Sequence, residues 1–342
     1  MTKDDRTRRM NEPDDRRRSW AGYRGWLFAI ILIGGLVGAI LHFGDLQAFT
    51  ALIARARPQW LILAIGLQLS TYVSVAQGWA FVLDRAKTPL PRASLIRVAI
   101  TKLFADQALP SAGMGGNVLL VDQLHQRGAE RSGAGAALLI SMIGFYAAYA
   151  VFAVVTLLLL WFHDKATPLM AGLVTLFLLV ALAIPSLALW LRHRGDKPLW
   201  APIERIGPVR ALLETVAQAP SHLLSDRRLL LRVAGCNALV FLADAGTLFA
   251  CLHALNVEVR LGTALIAFIM ASIVVTLGPL PLGLGSFEAT STATLHLLGV
   301  PMEAAFAGTM LLRLLTLWLP LAPGMVLMRG ALMRSPRRNG RR

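Results

Sequence analysis

Long apolar runs with at most one strongly charged side chain each constrain the fold of this chain more than any other feature of its sequence. A helix needs about 20 mostly apolar residues to cross the hydrocarbon core of a bilayer. Runs of about this length occupy residues 26–43, 59–83, 133–162, 168–191, 233–257 and 304–328. With 56% apolar and 15% charged residues, the composition leaves little polar surface for a soluble fold. We therefore expect an all-α polytopic membrane protein with about six transmembrane helices.

Two further apolar regions are interrupted by proline and glycine. Residues 94–126 are broken at 109–117, and residues 261–298 are broken at 278–286. Proline removes a backbone donor and glycine weakens a helix, so each region should form two short helices joined by unwound chain. Irregular backbone at membrane depth must be surrounded by protein or water. The pattern predicts two re-entrant helical hairpins.

Basic residues are concentrated in the segments that connect the predicted spans. The chain carries 34 Lys and Arg against 19 Asp and Glu, a formal net charge of +15. In a soluble protein this excess would suggest a nucleic-acid partner, but here it follows the positive-inside rule. Only Arg55, Arg57, Lys165 and Arg260 fall in predicted outer loops. We expect a multi-pass protein of the bacterial inner (cytoplasmic) membrane with both termini in the cytoplasm and no nucleic-acid partner.

This layout divides the chain into three parts. Residues 1–25 form a basic cytoplasmic arm that we expect to be disordered, residues 26–329 form the transmembrane domain, and residues 330–342 form a basic cytoplasmic tail. Residues 208–218 have the pattern of an interfacial helix whose basic neighbours meet anionic headgroups. A plain solvated connecting helix is the alternative.

The two broken regions resemble each other at an offset of 171 residues. Three matching pairs carry the alignment: Pro110 with Pro281, His125 with His296, and Gly128 with Gly299. The positive-inside rule opens the first hairpin to the cytoplasm and the second to the outside. Similar broken elements of opposite orientation are typical of inverted-repeat transporters, whose site lies near the bilayer midplane at half-helix termini.

Ionisable residues inside a bilayer are costly and are therefore candidates for function. Glu288 lies two residues after Ser286, near the start of a half-helix, where the helix dipole favours a carboxylate. It is either a structural cap or a contact for a cationic or hydroxyl-bearing headgroup. Arg313 lies nine residues into the last predicted span. It either pairs with Glu288 or Asp244, or binds a lipid phosphate.

The first hairpin contributes four further candidates. Lys102 and Asp106 are four residues apart on one helix face, which favours an intrahelical ion pair. Asp122 and His125 share a face, which favours headgroup contact or an interfacial pair over a metal site. Residues at the two breaks complete the candidate headgroup site, and they are Gly113, Gly115, Gly116, Asn117, Pro281, Gly283, Gly285 and Ser286. The glycines either present backbone N–H groups to an anion or allow close helix packing. We predict no catalytic residue, metal or cofactor.

Two segments resemble signatures of a known family. Pro281-Leu-Gly-Leu-Gly-Ser-Phe-Glu288, with 298–300, 304–308 and 311–313, resembles the C-terminal signature of the lysylphosphatidylglycerol synthase transmembrane family, also called flippase-like proteins. Leu109-Pro-Ser-Ala-Gly-Met-Gly-Gly116 resembles its other polar loop. The resemblance covers roughly residues 26–329 and implies a domain associated with moving an aminoacylated phospholipid between leaflets. Because the sequence ends at Arg342, we expect the soluble synthase domain of bifunctional relatives to be absent.

These features lead to a first hypothesis and its alternatives. The first is a lipid translocator that binds or moves an anionic phospholipid, a polyprenyl lipid or another lipid-linked intermediate across the inner membrane through a polar midplane site. The alternatives are an integral membrane enzyme of lipid or glycolipid modification, and an accessory subunit that docks a lipid-modifying enzyme. The sequence contains no Walker motif, so direct coupling to ATP is not expected.

Overall fold

The described part of the chain is entirely helical. A computed structural model describes residues 56–108, 114–162, 167–194, 220–278 and 283–318, and all regular secondary structure in these ranges is helix. This confirms the predicted all-α fold. The predicted span at 26–43, the arm, the tail and the helix predicted at 208–218 lie outside the described residues.

Ten α-helices and one π-helical turn follow one another in these ranges. They are α1 (Pro58–Arg85), α2 (Arg92–Ala108), α3 (Met114–Gln126), α4 (Arg131–Phe162), α5 (Pro168–Arg194), α6 (Ser221–Leu224), α7 (Arg227–Ala254), α8 (Leu261–Leu277), α9 (Ser286–Leu297) and α10 (Met302–Arg313), and the π-helical turn at Leu314–Trp318 continues α10. Local signals explain their starts. Pro58 occupies the start of α1, where its missing N–H group costs nothing. Asp226 caps α7 by accepting hydrogen bonds from the backbone N–H groups of Arg228 and Leu229 at 3.1 and 3.2 Å.

Within the described residues, three helices are long and apolar enough to cross a bilayer, namely α1, α4 and α7. They coincide with the predicted spans at 59–83, 133–162 and 233–257. The predicted span at 168–191 corresponds to α5, in which Pro168–Ala183 is a shorter apolar stretch. The predicted span at 304–328 begins as α10, and its residues beyond Trp318 lie outside the described ranges. The count of six spans stays a prediction.

Each broken region contains two helices that pack against each other, α2 with α3 and α8 with α9. The chain between α8 and α9 requires glycine at two positions. Gly283 and Gly285 have φ values of 63° and 82°, which side-chain-bearing residues rarely adopt. A side chain at Gly283 would also overlap Val275 of α8. The glycines therefore allow the chain to turn closely against the helix that it has just left.

The order of α1–α4 recurs in α7–α10. α7 begins 169 residues after α1, α8 begins 169 after α2, α9 begins 172 after α3, and α10 begins 171 after α4. The offset seen at three pairs of residues in the sequence therefore extends to four consecutive helices.

The ends of α3 and α9 share a further detail. Gly128 and Gly299 follow these helices with φ values of 105° and 97°, and such glycine caps are common at helix ends. A more specific feature accompanies them. The Nδ1 atom of His125 lies 3.0 Å from the carbonyl oxygen of Ala129, and that of His296 lies 3.1 Å from the carbonyl oxygen of Val300. The two histidines are thus structural equivalents at the predicted offset.

Helices α1 and α7 pack against each other in opposite directions. At one end the N–H group of Arg57 donates to the carbonyl oxygen of Ala254 at 2.9 Å. At the other end Arg85 Nε donates to Asp226 Oδ2 at 3.0 Å. Helix α7 also contacts α4, α8 and α10, so it occupies the centre of the described helices.

Two apolar clusters divide the interior. One joins the C-terminal parts of α1 and α3 to the N-terminal parts of α2, α4 and α7. The other joins the C-terminal parts of α4 and α7 to α5, α8, α9 and α10. Each broken region therefore packs into its own cluster, and α4 and α7 run through both.

Candidate functional site

Glu288 caps the helix that follows the second break. Its Oε2 atom accepts a hydrogen bond of 2.7 Å from the backbone N–H group of Gly285, the residue before α9. The first backbone N–H groups of a helix have no partner within the helix, and a glutamate at the third helical position can reach back to satisfy one of them. The predicted cap is present, and the anion that Gly285 meets is the Glu288 carboxylate.

The other oxygen of Glu288 binds Arg313 at the end of α10. Arg313 Nε donates to Glu288 Oε1 at 2.6 Å, and each side chain is only 12% exposed. The guanidinium carbon also lies 4.9 Å from the centre of the Phe287 ring, a cation–π distance. Glu288 and Phe287 together hold Arg313 against the first turn of α9. Of the two pairings predicted for Arg313, the one with Glu288 is the one observed.

Packing of α10 fixes the position of Arg313. The hydroxyl groups of Ser291 and Thr309 hydrogen-bond at 2.9 Å between α9 and α10. Gly308 brings α10 so close to Leu252 of α7 that a side chain at this position would overlap it. The helix widens into the π-helical turn directly after Arg313. Such turns are rare and frequently lie at functional sites.

The first broken region also contains an ion pair. Lys102 Nζ lies 2.6 Å from Asp106 Oδ2, and their side chains are 21% and 23% exposed, so the predicted intrahelical pair is present. The Asp106 carboxylate lies directly against Gly116 in the first turn of α3, where any side chain would overlap it. Its Oδ1 atom is buried and has no hydrogen-bond partner among the described residues. In both regions a carboxylate therefore meets the start of the second helix, where the helix dipole favours negative charge.

The remaining predicted site residues are less closely associated. Asp122 accepts a hydrogen bond of 2.7 Å from Gln126, so it and His125 each contact a neighbour on their own part of the chain. Asn117 is half-buried in α3, and Ser286 donates to the carbonyl oxygen of Gly283 at 3.2 Å. Gly113 and Pro281 lie outside the described residues, and Gly115 lies in the first turn of α3.

Charged residues cluster where α1 ends and α7 begins. Asp226 binds Arg85 at 3.0 Å and caps α7. The backbone N–H group of Leu229 is the main cause that lowers the pKa of Asp226, and Arg85 lowers this pKa further. Arg127 directly follows α3. Burial lowers the pKa of Arg127, and the charge of Arg97 lowers it further. This end of the helices is strongly basic.

Comparison with known families identifies the domain. The model of the lysylphosphatidylglycerol synthase TM region matches residues 26–324, which is most of the chain. The protein belongs to this family. The resemblance predicted from the signatures around Pro281 and Leu109 is thereby confirmed, and the chain is a membrane protein. No curated protein matches it.

The family domain includes every helix of the described chain and the ion pairs of both broken regions. Two of its residues at these sites were not predicted from the sequence, Phe287 beside Arg313 and Gln68 beside Asp244. An aromatic residue such as Phe287 is ordinary in an apolar region, so the sequence does not mark it as a site residue. Gln68 could have been identified, because a glutamine within a transmembrane run needs a polar partner on a neighbouring helix.

Proposed function

We propose that this protein is a lipid translocator that binds an anionic phospholipid or lipid-linked intermediate and moves it across the inner membrane. The observation that carries the proposal is the Glu288–Arg313 pair at the start of α9. It is almost buried within an apolar protein and lies beside a break in the helices. Charges are retained at such positions when they serve a substrate path.

The arrangement of the helices supports an inverted repeat. The first helices of the two copies, α1 and α7, run in opposite directions. The chain enters and leaves the first broken region on the side where α1 ends, because the start of α2 and the end of α3 share one apolar cluster with that end. We infer that both broken regions are re-entrant hairpins that open to opposite faces, with six spans in total. This is the architecture in which transporters place a substrate site between two repeats.

The charges support an orientation. In the described residues, the end of the helices formed by α1, α2 and α7 carries Arg85, Arg92, Arg227 and Arg228. The positive-inside rule assigns this end to the cytoplasm. Both termini of the chain would then be cytoplasmic.

The proposed chemistry is recognition of a lipid phosphate by Arg313. The planar guanidinium group matches the geometry of phosphate oxygens. A fixed opposite charge in the protein also lowers the free-energy cost of moving a charged headgroup through hydrocarbon. Glu288 orients the guanidinium and balances its charge when no lipid is bound. A phosphate at this position would share Arg313 with Glu288, and the exchange between the two anions would allow release.

Transport in liposomes tests the proposal. The purified protein is reconstituted with fluorescent phospholipids, and dithionite in the outer solution reports their movement between leaflets. We expect faster movement of phosphatidylglycerol than of a zwitterionic lipid. Arg313→Ala should slow it at least about tenfold, because a hydrogen bond to a charged group contributes about 1.5–3 kcal/mol. Arg85→Ala, which removes an exposed ion pair, is the matched control and should leave the rate unchanged.

Absence of accelerated movement for every lipid tested, or equal rates in Arg313→Ala and the wild type, would contradict the translocator. The alternative is a membrane enzyme or accessory subunit of lipid modification, which the family's synthase name favours. Among the described residues no group of three or more His, Cys, Asp and Glu side chains could hold a metal. Lipid analysis of a deletion strain distinguishes these functions. Loss of a modified lipid indicates modification, whereas an altered leaflet distribution of unchanged lipids indicates transport.

A further inference from the structure

A second polar cluster lies between α1 and α7, apart from the Glu288–Arg313 pair. Asp244 lies 10 residues before the end of α7, about 15 Å along the helix axis. Gln68 and Tyr72 lie one turn apart on α1, which packs against α7. The Gln68 side chain lies against the Asp244 carboxyl, and the Tyr72 hydroxyl lies near both.

The hydrogen bonds of this cluster are incomplete. Gln68 and Tyr72 are 5% and 4% exposed. The Oε1 atom of Gln68 and the hydroxyl oxygen of Tyr72 have no hydrogen-bond partner among the described residues. A buried polar atom without a partner costs about 1–3 kcal/mol. The cluster therefore contains a buried acceptor that needs a donor.

We propose that Asp244 is a proton-binding site within the membrane. Protonated Asp244 gains an O–H group that donates to Gln68 Oε1, so the vacant acceptor is satisfied. Ionised Asp244 accepts instead, from the Gln68 amide and from the Tyr72 hydroxyl. The same three side chains thus stabilise both protonation states, and the proton is exchanged with water.

The donor set favours a proton over a metal cation. A hard metal cation takes about six or more oxygen ligands. The cluster offers one carboxylate, one amide oxygen and one hydroxyl. The backbone carbonyls of α1 and α7 are engaged within continuous helices at this level. A proton needs a single acceptor.

Few charged groups on the neighbouring helices compete for Asp244. On α1 the facing titratable group is Tyr72, because Asp84 and Arg85 lie at the far end of the helix. On α4, Tyr149 lies against Phe177 and Phe241 and its hydroxyl contacts Thr276. Helix α8 has no titratable side chain, and on α10 Arg313 pairs with Glu288 while Glu303 lies in the first turn. The remaining titratable groups on the helices packed against α7 are Arg131 and Tyr146 on α4 and His222 on α6.

A proton site at this depth could supply an energy source for the protein. A carboxyl group that alternates between charged and neutral forms can couple the proton gradient to a conformational change. The proposed proton site goes beyond lipid recognition, and its test does not depend on whether the protein transports lipid.

Infrared difference spectroscopy of the full-length protein in lipid nanodiscs tests the proposal. Stepping from acid to alkaline pH should remove a C=O band of a protonated carboxyl. This band should shift when H₂O is replaced by D₂O, and it should be missing in Asp244→Asn. Glu258→Gln, which changes a carboxyl in the segment after α7, is the control and should keep the band. Gln68→Leu removes the acceptor and should move the band frequency in a protein that still contains Asp244.

Identical pH difference spectra for the wild type and Asp244→Asn would overturn the proposal. Loss of the band on adding NaCl at constant pH, but not on adding choline chloride, would also overturn it in favour of a metal cation. If Asp244→Asn fails to fold, the frequency shift in Gln68→Leu decides, and an unchanged frequency contradicts the assignment. These outcomes do not depend on any lipid being moved.

Discussion

Glu288 uses its two carboxylate oxygens on two different elements. One oxygen accepts from the N–H group of Gly285 and the other from Arg313 Nε. A single side chain therefore ties the start of α9 to the end of α10. Loss of Arg313 would leave an almost buried carboxylate with only its cap, whereas loss of Glu288 would release both the helix start and the arginine. The site is a structural joint as well as a candidate for ligand recognition.

The cap depends on an unusual backbone conformation at Gly285. Its φ and ψ are 82° and −44°, and a Cβ added there would meet no atom within 4 Å. Gly285→Ala should therefore destabilise the protein through backbone strain alone, by about 1–3 kcal/mol, as measured by unfolding in detergent. Gly235→Ala is the matched control, because Gly235 also has open space but lies within α7. It should be neutral or stabilising by about 0.5–1 kcal/mol. Equal changes in the free energy of unfolding for the two substitutions would contradict backbone strain at Gly285 as the cause.

The charged residues of the site could be predicted from the sequence, but part of their surroundings could not. A lone arginine in an apolar run must find a partner, so Glu288 and Asp244 were the natural choices for Arg313. Choosing between them required the packing of α9 against α10. Phe287 and Tyr72 carried no comparable signal, because aromatic residues are common in apolar helices and only tertiary contact gives them a role.

At the scale of elements, helix positions were predictable where apolar length and breakers agree. The cores of α1, α4 and α7 matched predicted spans because few polar residues interrupt them. Their ends differ by several residues, since caps such as Asp226 lie outside the apolar run that defines a span. The correspondence of α1–α4 with α7–α10 emerged from helix positions, because few side chains repeat.

The start of α7 gives a pH-dependent prediction. The pKa of Asp226 is lowered in the folded protein, chiefly by the N–H group of Leu229. Its stabilising contribution is therefore present above the unfolded pKa, about 3.9, and is lost as the pH falls through the lower folded value. The wild type should melt at a higher temperature than Asp226→Asn at neutral pH, and the difference should shrink on acidification. Glu130→Gln is the control. A difference that is constant or grows in acid would contradict this assignment.

At the scale of the whole molecule, the two broken regions carry different chemistry. The first broken region holds Lys102 and Asp106 on one helix, whereas the second joins Glu288 to Arg313 across two helices. The Glu288–Arg313 pair is the more buried of the two. On the proposed function, the second region therefore holds the headgroup site, and the first region can serve as a gate.

The proposed opposite orientation of the two broken regions gives the last prediction. Glu130 and Glu303 follow the first and second broken regions at equivalent places, and both are exposed. In an inverted repeat they lie on opposite sides of the membrane. A membrane-impermeant maleimide should label Glu303→Cys in intact spheroplasts, but Glu130→Cys only after permeabilisation. Wild-type protein gives the background, which should be low because Cys236 and Cys251 are buried. Labelling of both variants from one side would contradict the inversion.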